Sequence, residues 1–366
     1  MKGRLAVFDR ERRRYDLTEY PAPNPEPGAV LLEITMATVC GSDIHTYRGE
    51  GTTGGAGGLR RAAGHEGTGR VAKLGAGVSA DASGAPLRVG DRVVFSPFYP
   101  CGRCRACLRG KDWCCPDRRN RMGPGCDVWP HFRGTFADHY YLFPGHTLFR
   151  VPDELPDAVV ATVNGALCQV VCGLEVAGAA LGEQVVIQGA GGLGLYAIAV
   201  ARERGAAKIV VVDGVPERLE LARAFGADEL IDMRAWPEPE QRIGRVRELT
   251  GGWGADLVVG VVGYPQAVQE GIRMAGQGGR HLEIGSIVAG MTYPADPEQW
   301  VHGNVTIIGN NNWGRRHLHD ALELVWRTRD KYPYDRIVSH TYPLERINDA
   351  FADQNDGRVM RAGLVP

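Results

Sequence analysis

The chain has 366 residues, enough for two domains of ordinary size, and its 42 Lys and Arg against 43 Asp and Glu leave a formal charge of -1. At 44% hydrophobic and 23% charged residues it has a globular composition and lacks the broad basic face of a phosphate-backbone binder, so no nucleic-acid partner is expected. No run approaches the roughly 18–20 apolar residues of a membrane span, and the opening residues lack a signal peptide's apolar core, so the expectation is a cytoplasmic protein with no membrane partner.

In chain order, the opening residues read as a short strand followed by the basic turn Arg10–Arg14. Short apolar runs follow, Ala29–Ile34, Arg70–Leu74 and Asp91–Phe95, each bounded by turn residues such as Gly90. This is the punctuation of an irregular, barrel-like β domain. From about Asp157 strands and helices alternate. Gln184–Gln188, Lys208–Asp213, Glu229–Ile231, Ala255–Val259, Arg280–Ile284 and Thr306–Ile308 are apolar enough for buried parallel strands. Helices are expected near Leu193–Arg204, Pro216–Phe225, Arg242–Leu249, Gln266–Ala275 and Leu318–Arg327. The fold class is therefore α/β, a doubly wound parallel sheet beside a β-rich domain. The expected division is 1–160, 161–310 and a return to the first domain over 311–366.

Glycine contributes 50 residues, about twice the usual ~7% share, without any collagen period. Six positions, Gly189-Ala-Gly191-Gly192-Leu193-Gly194, fit G-x-G-x-x-G between a strand and a helix, and Asp213 ends the next strand. Such glycines let a pyrophosphate approach bare backbone at a helix N-terminus. A carboxylate at 213 accepts from ribose hydroxyls and repels a 2'-phosphate, which favours NAD over NADP.

Nine cysteines with no export signal point to metal or thiol chemistry. Cys101, Cys104, Cys107 and Cys115 give C-x2-C-x2-C-x7-C, a closed tetrahedral set for a structural zinc; an iron–sulfur cluster is the main rival, and Cys114 could exchange with Cys115. Upstream, Cys40-Gly-Ser42-Asp43-Ile-His45 precedes Gly64-His65-Glu66, the soft and imidazole donors of an open zinc site.

In this order, the C-G-S-D-x-H and G-H-E motifs, the cysteine lobe, and G-A-G-G-L-G followed by V-V-D resemble the zinc-dependent medium-chain dehydrogenases/reductases, the alcohol dehydrogenase family, over nearly the whole chain. The resemblance implies a GroES-like catalytic domain beside a Rossmann domain, an alcohol or carbonyl substrate, and a homodimer or homotetramer. By position it implies that Cys40 and His65 ligate a catalytic zinc, with Asp43 orienting His65. It further implies that Ser42 and His45 relay the alcohol proton through the cofactor ribose, and that Arg361 reaches the pyrophosphate. The family's third ligand would fall at Gly165, which has no donor. Cys168 three residues on, or Glu66 or water, would have to replace it, or the catalytic zinc is lost. The expected function is NAD-dependent interconversion of an alcohol and its aldehyde or ketone. The alternatives are a zinc-free reductase of the same superfamily and a non-catalytic NAD- and zinc-binding protein. Phe98, Trp129 and Phe132 are candidates for an apolar substrate wall.

Overall fold

The structure is a computed structural model that describes residues 2–50, 60–118 and 125–366. Contacts divide the chain into two units, Met1–Cys168 with Trp313–Arg329 and Tyr334–Pro366, and Gln169–Asn312 with Asp330–Pro333.

The first unit begins with β1 (Lys2–Asp9), β2 (Arg14–Pro21), β3 (Val30–Thr38), helix α1 (Gly41–Tyr47), β4 (Arg60–Ala62), β5 (Glu66–Leu74) and β6 (Arg92–Phe95). It continues with α2 (Arg105–Leu108), β7 (His139–Leu142), β8 (Leu148–Arg150), α3 (Asp157–Val160) and a π turn, Val163–Leu167. The next helix, α4, spans Cys168–Val176. The second unit carries β9 (Gln184–Gln188), α5 (Gly192–Glu203), β10 (Lys208–Asp213), α6 (Pro216–Ala224), β11 (Glu229–Asp232) and α7 (Pro239–Leu249). It ends with β12 (Ala255–Gly260), α8 (Pro265–Met274), β13 (Ala275–Glu283), α9 (Pro297–Gly303) and β14 (Thr306–Gly309). The chain then adds α10 (Arg315–Thr328), β15 (His340–Pro343), α11 (Ile347–Asn355) and β16 (Ala362–Val365) to the first unit.

Among the described residues of the first unit, one sheet has the order β2-β1-β4 and a larger one β15-β16-β3-β5-β6-β8, with β7 also on β3. Two pairings matter for function. Antiparallel β3 and β5 set Thr38 opposite Glu66, and β16 adds to β3 with Gly363 opposite Thr38. The end of β3, the start of β5 and the residues entering β16 therefore meet at one point, although the last lies about 300 residues from the others.

The second unit is a parallel sheet ordered β11-β10-β9-β12-β13-β14, the 3-2-1-4-5-6 order of a Rossmann fold. Helix α5 packs on α6 and α7 on α8, covering the apolar runs Val185–Ile187, Ile209–Val212 and Leu257–Val259. A bidentate pair joins α7 to α8: Arg242 Nε donates to Glu270 Oε1 and Nη2 to Oε2, both at 2.7 Å, with both residues buried. Glu270→Ala strands that guanidinium, and urea unfolding should show a loss of about 3–5 kcal/mol.

One expectation is corrected. The helical run Asp157–Val176 spans 20 residues and is long and apolar enough, by length and composition, to cross a membrane. Of its most apolar stretch 78% is buried inside the protein, as in a core helix.

Candidate functional site

Cys40 is the N-cap of α1 with extended backbone, so the end of β3 turns directly into the helix at this residue. Its N–H donates to Asp43 Oδ2 at 3.0 Å, while Asp43 Oδ1 lies 3.5 Å from His65 Nδ1. One buried carboxylate thus ties together the two loops that carry Cys40 and His65. Burial alone would lower the pKa of His65, but Asp43 and then Cys40 outweigh it and hold the imidazole well above its usual range.

Glu66 opens β5 and is fully buried. Its Oε2 accepts from the Thr38 hydroxyl at 2.7 Å and pairs with Arg361 Nη1, whereas its Oε1 has no hydrogen-bond partner among the described residues. The donor atoms of Cys40, His65 and Glu66 all lie within 4.8 Å of one another, a set that can hold a metal ion. Arg361, expected at the cofactor pyrophosphate, is buried in this pair with Glu66. Neither Thr38 nor the Arg361–Glu66 pairing is visible in the sequence, because both rest on the β3–β5–β16 register.

Cys168 does not join this set. It is buried and its thiol donates to the His317 carbonyl at 3.6 Å. The expectation that it supplies a ligand is therefore corrected. Counting forward from 165 at 3.6 residues per turn fails because Val163–Leu167 is a π turn, which inserts residues into the helical count. Gly165 itself faces Glu66, and a Cβ there would overlap Glu66 Oε1, Cδ and Cγ.

On α1, Ser42 and His45 are three residues apart and share a helix face. His45 Nδ1 pairs with Glu50, a residue the sequence reading did not single out. A carboxylate on Nδ1 fixes the proton there and leaves Nε2 as an acceptor.

The second donor set is Cys101, Cys104, Cys107 and Cys115, whose sulfurs also lie within 4.8 Å of one another. Backbone amides serve them: Cys101 N–H donates to Cys115 Sγ at 3.3 Å, Cys104 N–H to Cys101 Sγ at 3.4 Å, and Cys107 N–H to Cys104 Sγ at 3.5 Å. The amides of Arg103 and Cys104 pull the Cys101 thiol down to about 7, and burial with neighbouring thiols pushes Cys107 up to about 12. Cys115 is buried in the set and Cys114 is exposed, which settles their register.

In the second unit Gly191 caps α5, with Gly192 and Leu193 in its first turn. Gly189 has φ +101°, and a Cβ on Gly194 would overlap the Gly189 carbonyl oxygen, so both positions require glycine. Asp213 accepts from the amides of Ala190 at 2.7 Å and Val215 at 2.8 Å, which fixes its carboxylate at the end of β10 beside the glycine turn. Of the candidate wall residues, Phe132 is instead in a core cluster with Leu5, Val7 and Tyr20, Phe98 rests edge-on against Trp313, and Trp129 is half exposed.

Two family models match the chain: the alcohol dehydrogenase GroES-like domain over residues 26–153 and the zinc-binding dehydrogenase over residues 192–327. The chain is 34% identical to a 5-exo-hydroxycamphor dehydrogenase of Pseudomonas putida, over 96% of this chain and 95% of that one. It is 30% identical to an L-threonine 3-dehydrogenase of Pyrococcus horikoshii, over 95% and 92%. Among solved structures, an alcohol dehydrogenase from Thermotoga maritima superposes with a TM-score of 0.93 at 28% identity and covers 100% of both chains.

Proposed function

The chain belongs to the zinc-dependent medium-chain dehydrogenase/reductase family and is an oxidoreductase acting on CH–OH groups; from that premise we propose that it interconverts a small alcohol and its aldehyde or ketone with NAD, using one catalytic and one structural zinc. The observation that carries this reading is the convergence of Cys40, His65 and Glu66 donors at the helix that bears Ser42 and His45.

The residues present fit the groups this reading needs. Four thiols served by backbone amides match a closed tetrahedral zinc, and a thiol, an imidazole and a buried, partnerless carboxylate oxygen match an open one. The bare backbone of Gly189, Gly191 and Gly194 with the free amides of the first turn of α5, at Gly192 and Leu193, fits a pyrophosphate. Asp213 is held where it can accept from the adenosine ribose, which favours NAD.

When bound, zinc supplies the Lewis acidity that makes an alcohol acidic near neutral pH, and NAD accepts the hydride. The chain's own residues do the rest. Asp43 keeps Cys40 and His65 in place, and its carboxylate fixes which imidazole nitrogen stays available as a ligand. The Ser42 hydroxyl takes the substrate proton and passes it to His45, whose ring Glu50 orients. Arg361 and Thr38 hold Glu66.

Protein purified without chelator should contain about two zinc per chain and reduce NAD with simple alcohols. Reduction of an enone with no alcohol turnover would favour the zinc-free reductase. Tight NAD binding with no turnover of any alcohol would favour the non-catalytic alternative.

A further inference from the structure

We propose that Glu283 is a positioning residue for the nicotinamide half of NAD, and that a buried chain of Gln188, His281 and Glu283 sets the turn Ile284–Ile287 beside the cofactor crevice. The inference rests on the reading above, that the glycine turn and Asp213 bind NAD.

In the parallel register, Gln188 of β9 and Glu283 of β13 both stand opposite Gly260 of β12, so the three align across the carboxyl ends of neighbouring strands. His281 is two residues before Glu283 and shares its face of the sheet, the face on which Gly271 of α8 packs. His281 is fully buried and Gln188 nearly so. Polar side chains this deep in an apolar sheet are costly and call for partners. His281 Nε2 lies 3.3 Å from Glu283 Oε2, and Glu283 Oε1 accepts from the Ser286 amide at 2.7 Å. Two glycines make room for this chain. A Cβ on Gly260 would overlap Glu283 Oε2, and a Cβ on Gly271 would overlap Gln188 Oε1 and the His281 ring. Glycine is unfavourable in a helix interior, so at 271 it serves the close approach.

The turn that Glu283 closes is one layer away from the glycine turn. The amides of Ile284 and Gly285 donate to the Gly260 carbonyl at 2.9 and 3.2 Å, and the Ile287 amide donates to the Gly285 carbonyl at 3.0 Å. A Cβ on Gly285 would overlap the Val262 backbone, and a Cβ on Gly189 would overlap the Val262 side chain. Val262 thus stands between the turn and the bare backbone of Gly189. In a sheet of this order a dinucleotide lies across the switch point, here between β9 and β12. Asp213 at the end of β10 takes the adenosine ribose on one side. The nicotinamide half then falls on the other side, over the ends of β12 and β13, where the turn stands. Glu283 acts on it through the turn, with His281 bracing one carboxylate oxygen while the other holds the Ser286 amide.

The test compares NAD with ADP-ribose, which lacks only the nicotinamide, by titration calorimetry on the full-length chain. Glu283→Ala should weaken NAD about 10-fold and leave ADP-ribose affinity within about twofold of wild type. Glu283→Gln, whose amide oxygen still accepts from Ser286, should bind NAD nearly as the wild type does. If the alanine variant does not fold, Glu283→Asp, one methylene too short to hold Ser286 and His281 together, gives the same comparison. Unchanged NAD affinity in the alanine variant overturns the proposal. Equal losses for both ligands also overturn it, since Glu283 then acts through the stability of the whole unit. So does a glutamine variant as weak as the alanine one, because acceptance from Ser286 is then not what counts. A wild-type chain that binds no ADP-ribose sinks the underlying reading instead, so the two failures are told apart.

Discussion

Ser42→Ala is expected to lower turnover about 100-fold or more while NAD affinity and zinc content stay at wild-type values. Ser42 is half-buried in the first turn of α1, two residues after the Cys40 N-cap, so the backbone that places the thiol also places the hydroxyl. The serine carries no core packing, and its loss should leave the melting temperature nearly unchanged. The proton it takes from the alcohol must leave through a neighbour, and His45 one helical turn on is the acceptor. With Nδ1 committed to Glu50, only Nε2 can receive it. The His45 side chain is 20% exposed, so solvent can partly replace it. Steady-state kinetics against NAD titration decides the matter: equal losses in kcat and kcat/KM at constant NAD affinity assign Ser42 to proton transfer. Unchanged turnover removes it from the mechanism.

The parts legible from sequence were those in which a single local pattern carries the information. Gln184–Gln188 and Lys208–Asp213 form strands over the residues expected, because apolar β-branched runs stop at glycine and aspartate. The cysteine lobe is legible because four thiols lie within fifteen residues. The candidate site at Cys40, His65 and Glu66 is different. Its loops are joined by the pairing of Thr38 with Glu66 and of Gly363 with Thr38, and no local pattern encodes that register. For the same reason neither the pairing of Arg361 with Glu66 nor the place of Cys168 outside the donor set is legible in the sequence. Gly165 reads in sequence as a lost ligand. In the fold it is the space that Glu66 fills, and only the contact between the π turn and β5 reveals this.

Cys115→Ser is expected to remove one zinc per chain and loosen the segment from Cys101 to Cys115, whereas Cys114→Ser does neither. The two adjacent thiols differ in surroundings: Cys115 is buried and accepts the Cys101 amide, and Cys114 is exposed. Among the described residues the lobe has little regular structure of its own. Its two helical pieces, Arg105–Leu108 and Asp112–Cys114, are single turns, and no residue of Arg105–Leu108 is buried. Its anchors to the rest of the first unit are few, among them Trp113 edge-on to His317 at 5.2 Å and the Arg315 amide on Asp112 at 3.0 Å. Binding energy of a structural zinc, about 10–16 kcal/mol in small peptides, therefore becomes folding energy here. The thiols set the pH dependence. Zinc needs all four as thiolates, and the Cys107 proton, held by a thiol pushed up to about 12, must leave on binding at any ordinary pH. The Cys101 proton, at about 7, joins it only in acid. Lobe affinity should thus rise with pH and fall more steeply below neutrality, where the Cys101 proton adds to the competition with the metal. Chelator competition at about pH 6 and about pH 8 tests this, with limited proteolysis of the lobe as the structural readout. Equal zinc content in Cys115→Ser and wild type would show that the quartet is not the metal site.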